Sequence, residues 1–135
     1  MTPGRQRDTI PASLAAVLAL TLIILVAIAV ATAKGSIRER KAQVVHALTQ
    51  HWPARYRREA LHVIACETGH TYDPHAVGAG GLYYGLFQQG RWQRQTYGFG
   101  WTIRAQVRSG WRAFRANGFC WTCWDQWPTC GRGLD

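Results

Sequence analysis

Residues 53–67 read PARYRREALHVIACE, and this stretch decides the fold of the chain. Pro53 predicts a helix start, because a proline in the first helical turn lacks only an N–H that would have no partner there. Apolar residues then recur at helical spacing on one side, namely Tyr56, Ala60 and Ile64. Gly69 can end the helix in a left-handed backbone conformation without a steric penalty. The pattern therefore predicts an amphipathic helix with Glu67 at its carboxyl end.

A carboxyl group at the position of Glu67 is expected to have a raised pKa. Apolar neighbours would desolvate its charged form, and the negative end of the helix dipole would disfavour that form as well. A carboxyl that stays protonated near neutral pH can protonate the leaving oxygen of a glycosidic bond. The alternative is a helix-terminal glutamate that simply faces water.

The motifs that follow Glu67 resemble, in their order, those of lytic transglycosylases of the goose-lysozyme-like group. In that family a Glu-Ser at a helix end precedes a Pro-x-Ala turn and a Gly-Leu-Met-Gln motif, and the counterparts here are Glu67-Thr68, residues 74–76 and residues 85–88. The family's Ala-Tyr-Asn motif is absent. The resemblance implies an all-α, small lysozyme-like domain in which Glu67 acts as both acid and base. It also implies that Gln88 binds a sugar next to the scissile bond, and we expect Tyr84 and Trp92 to line the cleft.

Three short motifs also resemble the resuscitation-promoting factors, which are small muralytic domains of actinobacteria. They are Cys66-Glu67, Tyr83-Tyr84-Gly85 and Trp127-Pro128-Thr129-Cys130. In those proteins the cysteine before the glutamate is bonded to the cysteine of the terminal motif. The resemblance therefore implies the pair Cys66 and Cys130, which leaves Cys120 with Cys123.

The cysteines by themselves leave more than one interpretation open. Their even number predicts two disulfides if the domain is exported, with three pairings allowed. A four-cysteine zinc site and a redox pair at Cys120 and Cys123 are the alternatives. We expect no metal and no other cofactor, because the histidines have no ligand spacing and the cysteines lack a second close pair.

A short polar leader (residues 1–8) precedes an apolar segment that can reach across a membrane. Residues 9–33 are uncharged and long enough for one bilayer-spanning helix. They end in Ala31-Thr32-Ala33, which suits signal peptidase, although the length of the apolar core favours a retained anchor over a cleaved signal peptide. The basic residues that follow would keep the domain in the cytoplasm by the positive-inside rule. The cysteines and the muralytic resemblance favour the opposite side, so we expect an anchored domain outside the cytoplasm, or a secreted one if cleavage follows Ala33.

The sequence predicts three parts: a leader and hydrophobic segment (residues 1–33), a basic amphipathic stalk helix (34–51) and the lysozyme-like domain (52–135). We expect the stalk helix to pack on the domain, because the Trp52-Pro53 junction leaves no flexible linker; the alternative is that it is the first helix of the domain. Within the last part, residues 102–117 have apolar side chains on one helical face and four arginines largely on the other, Arg104, Arg108, Arg112 and Arg115. The arginine row is either a solvated face or a contact with an anionic polymer.

The formal net charge of +9 favours anionic partners in general. Because the chain has no recognised nucleic-acid-binding motif, we expect no nucleic acid partner. The expected partners are peptidoglycan glycan strands and a membrane that holds the N-terminal helix. The resemblance implies cleavage of the β-1,4 bond between N-acetylmuramic acid and N-acetylglucosamine, by transglycosylation or by hydrolysis. A non-catalytic cell-wall binding module and a basic nucleic-acid binder are the rival functions.

Overall fold

The computed structural model describes Thr21, residues 35–123 and residues 127–134. The chain divides into Met1–Gly35 and Ser36–Asp135, and the elements named below belong to the second part. They are the helices α1 (Ile37–His51), α2 (Ala54–Glu67), α3 (Arg91–Tyr97) and α4 (Ile103–Ala116), and the strands β1 (Val77–Gly78) and β2 (Tyr83–Tyr84). The predicted helical character is confirmed, since the described part is mostly helical. The all-helical prediction missed the antiparallel hairpin of β1 and β2, which a 3₁₀ turn at Ala79–Gly81 connects.

Helix α1 begins at a capping box and packs on the rest of the domain. The Ser36 hydroxyl accepts from the Glu39 N–H at 3.2 Å, and the Ser36 N–H donates to the Glu39 carboxylate at 2.7 Å. Three of its apolar residues are buried: Val44, Ala47 and Leu48. The segment predicted as a stalk thus contributes to the core. Among the described residues, no helix is both long and apolar enough to cross a membrane; the predicted span at 9–33 lies outside them, except for Thr21.

Helix α2 ends where the glycine signal indicates. Gly69 adopts a φ of 57°, and the His70 N–H reaches back to the Ala65 carbonyl at 2.6 Å. These are features of the Schellman motif, which satisfies the last carbonyls of a helix. The apolar stripe of α2 is buried at Ala60, Val63 and Ile64, so burial on one face places Glu67 at the edge of the core.

Trp52 lies at the centre of the core. It is 2% exposed, its indole N–H donates to the Val107 carbonyl of α4 at 2.9 Å, and its ring stacks on three others, those of Phe87, Phe114 and Trp121. Trp127 is also buried and donates to the Phe87 carbonyl at 3.0 Å. Aromatic side chains in the core therefore connect the helices to the C-terminal segment, which follows α4 and is described at residues 118–123 and 127–134.

The predicted disulfides are present. Cys66 is bonded to Cys130 with a Cα–Cα distance of 5.7 Å, and Cys120 to Cys123 with 5.5 Å. These are the pairs that the resemblance implies. No cysteine is free, so none is a thiolate ligand or an open redox thiol in this state. The first bond spans 64 residues and stabilises the fold by about 4 kcal/mol in the chain-entropy model.

Candidate active site

A cleft of about 410 Å³ opens where the carboxyl end of α2, the hairpin and the C-terminal segment meet. Glu67 comes from the helix, and Gln88 comes from the turn after β2. The remaining lining residues are Gly78, Ala79, Tyr83, Pro128, Thr129 and Cys130. Residues far apart in the sequence therefore form one concave surface around a carboxyl group.

Glu67 is half-buried in this cleft. Burial disfavours its charged form and raises its pKa to about 7. Among the described residues, none forms a hydrogen bond or an ion pair with its carboxyl group. Near neutral pH the group therefore carries a proton in a substantial part of the population.

The other three described carboxyl groups are occupied by structural hydrogen bonds. Glu39 caps α1, Asp73 accepts from the His75 N–H at 2.9 Å, and Glu59 accepts from the Trp121 indole N–H at 3.1 Å. Glu59 is half-buried, whereas the helical pattern places it on the outward side. Asp125 and Asp135 lie outside the described residues.

Two links fix the position of Glu67. The Thr68 hydroxyl donates to the Ile64 carbonyl at 2.7 Å and accepts from the Tyr72 N–H at 3.1 Å, which ties the helix end to the next loop. One residue before Glu67, the disulfide between Cys66 and Cys130 holds residues 128–130 at the cleft. Thr68 therefore holds the end of α2 against the loop that follows it.

Gln88 lines the cleft, and its side-chain oxygen lies beside Gly78, another lining residue. Its amide nitrogen donates to the Gly85 carbonyl at 2.9 Å and to the Ala76 carbonyl at 3.3 Å. Because both neighbours of that nitrogen are acceptors, the amide orientation is fixed, and no described group donates to Oε1. The cleft therefore offers a carboxyl group with a raised pKa and a separate hydrogen-bond acceptor.

The two tyrosines of β2 have different surroundings. Tyr83 lines the cleft, whereas Tyr84 lies under the Arg94 guanidinium at 4.5 Å and beside the Trp101 ring. Trp92 is 62% exposed and packs edge-on against Tyr97. The structure thus brings Glu67 and Gln88 together and places neither Tyr84 nor Trp92 in the lining of this cleft.

Sequence reasoning did not select Tyr83, Ala79 or Thr129, which line the cleft. The Tyr83-Tyr84 pair was a signal for an aromatic wall, but the choice between the two depends on the hairpin register, in which Gly78 faces Tyr83. Thr129 belongs to the quoted Trp-Pro-Thr-Cys motif, so the disulfide implied for Cys130 was the available clue to its position.

Within the described residues, no group of three or more His, Cys, Asp or Glu side chains could hold a metal ion.

The chain matches no protein-family model, no curated protein and no solved structure.

Proposed function

We propose that this protein cleaves the β-1,4 bond between N-acetylmuramic acid and N-acetylglucosamine in peptidoglycan, with Glu67 as the catalytic acid and base. The observation that carries the proposal is a half-buried carboxyl group, with a pKa of about 7, that lines an open cleft without a described partner. A general acid works best when its pKa lies near the working pH. The order of motifs around it, which resembles that of lytic transglycosylases, supplies the substrate class.

The first step is proton transfer from Glu67 to the glycosidic oxygen as the bond to the anomeric carbon breaks. The resulting carboxylate then removes a proton from the nucleophile that attacks that carbon. If the nucleophile is the C6 hydroxyl of the same sugar, the product has a 1,6-anhydro end. If it is water, the product has a reducing end. In both cases the proton gained in the second step restores the acid form.

A single-glutamate scheme agrees with the distribution of carboxyl groups. Of the four described ones, Glu67 alone lines the cleft, and the other three accept structural hydrogen bonds. The two-carboxylate schemes require a second acidic group about 5 to 10 Å away, across the scissile bond. Transfer within the sugar needs no such partner, because the attacking hydroxyl is already held near the anomeric carbon.

Gln88 is the proposed binding residue in this scheme. Its Oε1 is a fixed acceptor, so it suits an N–H of an acetamido group or a sugar hydroxyl beside the scissile bond. The ring of Tyr83 gives the cleft an apolar wall on which a sugar face can pack. A lysozyme-like architecture and a location outside the cytoplasm belong to the same proposal, and two disulfides favour an oxidising compartment.

Mass spectrometry of the fragments released from purified peptidoglycan sacculi tests the proposal. The full chain should release disaccharide-containing fragments, and their ends distinguish the two chemistries: 1,6-anhydromuramic ends for transglycosylation, reducing ends for hydrolysis. Tight binding to sacculi with no release of fragments would contradict the enzyme and favour a binding module. Neither binding nor release would contradict the choice of peptidoglycan as the target.

A further inference from the structure

The outward face of α4 carries a row of arginines with no acidic residue on the same helix. Arg104, Arg108, Arg112 and Arg115 are all exposed, and at about 100° per residue they fall within an arc of about 80°. The row is about 16 Å long, at about 1.5 Å of rise per residue. No described carboxylate forms an ion pair with any of the four. This charge is therefore not offset within the described part of the domain.

The amino-terminal end of the row meets a second groove. A cavity of about 520 Å³ lies between α1 and the start of α4, with His46, Gln50, Thr102 and Arg104 in its lining. The Arg104 guanidinium donates to His51 at 3.4 Å. Desolvation and the charges of Arg104 and Arg108 lower the pKa of His51, which indicates a positive potential that no nearby acid compensates.

The row faces away from the side of α4 that supports the cleft. On its inner side, Gln106 accepts from the Leu86 N–H at 2.8 Å, and Gly110 packs against the Phe87 ring. A polymer on the outer side would therefore leave the cleft beside Gln88 open. The row fits a second binding surface better than an extension of the cleft.

We propose that the arginine row of α4 binds a linear phosphodiester polymer built on a three-carbon diol. Arginines suit phosphate because the guanidinium fork can donate two parallel hydrogen bonds to its oxygens. Arginines four residues apart on a helix are about 6 Å apart along the axis. A polymer with six backbone bonds per phosphate repeats about every 7 Å when extended, since three backbone bonds span about 3.5 Å. Successive phosphates can thus meet Arg104, Arg108 and Arg112, whereas Arg115 lies only about 4.5 Å beyond Arg112 along the axis.

Single-stranded nucleic acid has a similar charge spacing, but the surface lacks what its bases require. Binding of single strands relies on aromatic side chains that stack on successive bases. The aromatic residues of α4, Trp111 and Phe114, pack towards the core, and the Arg115 guanidinium lies over the Trp111 ring at 5.9 Å. The surface therefore favours a polymer without bases.

Binding of a fluorescent poly(glycerol phosphate) of about ten repeats to the detergent-solubilised full chain tests this proposal. The wild-type chain should bind it with a strong salt dependence, and Arg104→Gln/Arg108→Gln should bind roughly tenfold more weakly. The double variant should also lower the slope of log K against log salt by about 1.4, at about 0.7 per lost phosphate contact. The control Arg55→Gln/Arg58→Gln removes two exposed charges from α2 and should change binding less than twofold. An equal loss in both double variants would overturn the assignment to α4.

Two further measurements separate the alternatives. An oligothymidylate with the same number of phosphates should bind more weakly than the polymer, and equal or tighter binding would overturn the choice of polymer. The imidazole NMR signals of His51 should shift on titration with poly(glycerol phosphate), and unchanged signals would place the polymer elsewhere. Glu67→Gln should bind the polymer as wild type does, so a failure of the proposed enzyme activity would leave this result unaffected.

Discussion

The side-chain oxygen of Gln88 occupies the space beside the α-carbon of Gly78 that any larger residue would need for its Cβ. The Gln88 amide nitrogen is bonded to the carbonyls of Ala76 and Gly85, so the oxygen cannot move away without loss of hydrogen bonds. Gly78 is thus the residue that allows Gln88 to present a fixed acceptor in the cleft.

Replacement of Gly78 by alanine should impair glycan cleavage and lower stability through one cause, the displacement of the Gln88 side chain. Gly78 has a φ of −121°, which alanine adopts readily, so the damage falls on Gln88. We expect about a tenfold loss in kcat/KM and a loss of about 1 to 2 kcal/mol in the free energy of unfolding, the usual cost of disturbed hydrogen bonds. Kinetics on sacculi and chemical denaturation measure the two effects. In a Gln88→Ala background, Gly78→Ala should have little further effect on kcat/KM. If the effects of the two substitutions on kcat/KM add fully, Gly78 does not act through Gln88.

The pKa of Glu67 predicts a stability change with a definite sign. Its pKa is about 7 in the fold and 4.5 as the ordinary value, so the folded chain keeps a proton that the unfolded chain loses between these pH values. Wild-type unfolding free energy should therefore fall as pH rises from about 4.5 to about 7 and then level off, as far as this group is concerned. Glu67→Gln does not titrate, so its stability advantage over wild type should grow across that window. A difference that stays constant from pH 4 to pH 8 would contradict the raised pKa.

The rate of cleavage should decrease on the alkaline side with the titration of the same group. Only the protonated form of Glu67 can donate to the glycosidic oxygen, and its pKa is about 7. A pH profile of kcat/KM should therefore have a descending limb with a midpoint near 7. The carboxyl-carbon NMR signal of Glu67 should titrate with a similar midpoint. If the Glu67 signal titrates near pH 4 instead, another group causes the alkaline decrease in rate, which would contradict this prediction.

The two disulfides should differ in their contribution to stability. The bond between Cys66 and Cys130 spans 64 residues and the other spans 3, so the chain-entropy model predicts losses of about 4 and about 2 kcal/mol on their removal. Denaturation of Cys66→Ser/Cys130→Ser and Cys120→Ser/Cys123→Ser measures them. The first variant should also lose cleavage activity, because Thr129 is then no longer held at the cleft. A larger loss of unfolding free energy in Cys120→Ser/Cys123→Ser than in Cys66→Ser/Cys130→Ser would contradict this prediction.

The sequence predicted those parts of the fold that depend on helical periodicity and on helix ends. Helix α2 ends two residues before Gly69, the glycine that marks its stop, and α4 begins after Thr102, whose hydroxyl accepts from the Ala105 N–H at 3.2 Å. In both helices, burial of one face is repeated over 14 residues. A pattern of that length is visible without tertiary information.

The hairpin and the wall of the cleft could not be predicted in the same way. Each strand has two residues, so no alternation exists to indicate which tyrosine faces the cleft. The pairing of Val77 with Tyr84 sets that choice and is a tertiary fact. Glu59 likewise became a partner of Trp121, which lies 62 residues away, and no local pattern could place it there.

The rate of fragment release from sacculi by Glu67→Gln tests most directly whether the Glu67 carboxyl group is the catalytic acid and base. The matched control is Glu59→Gln, which makes the same substitution at a half-buried site on α2 and can still accept from the Trp121 indole. We predict that Glu67→Gln releases fragments about a thousandfold more slowly than wild type, whereas Glu59→Gln stays within a few-fold. Release by Glu67→Gln at the wild-type rate would contradict the account.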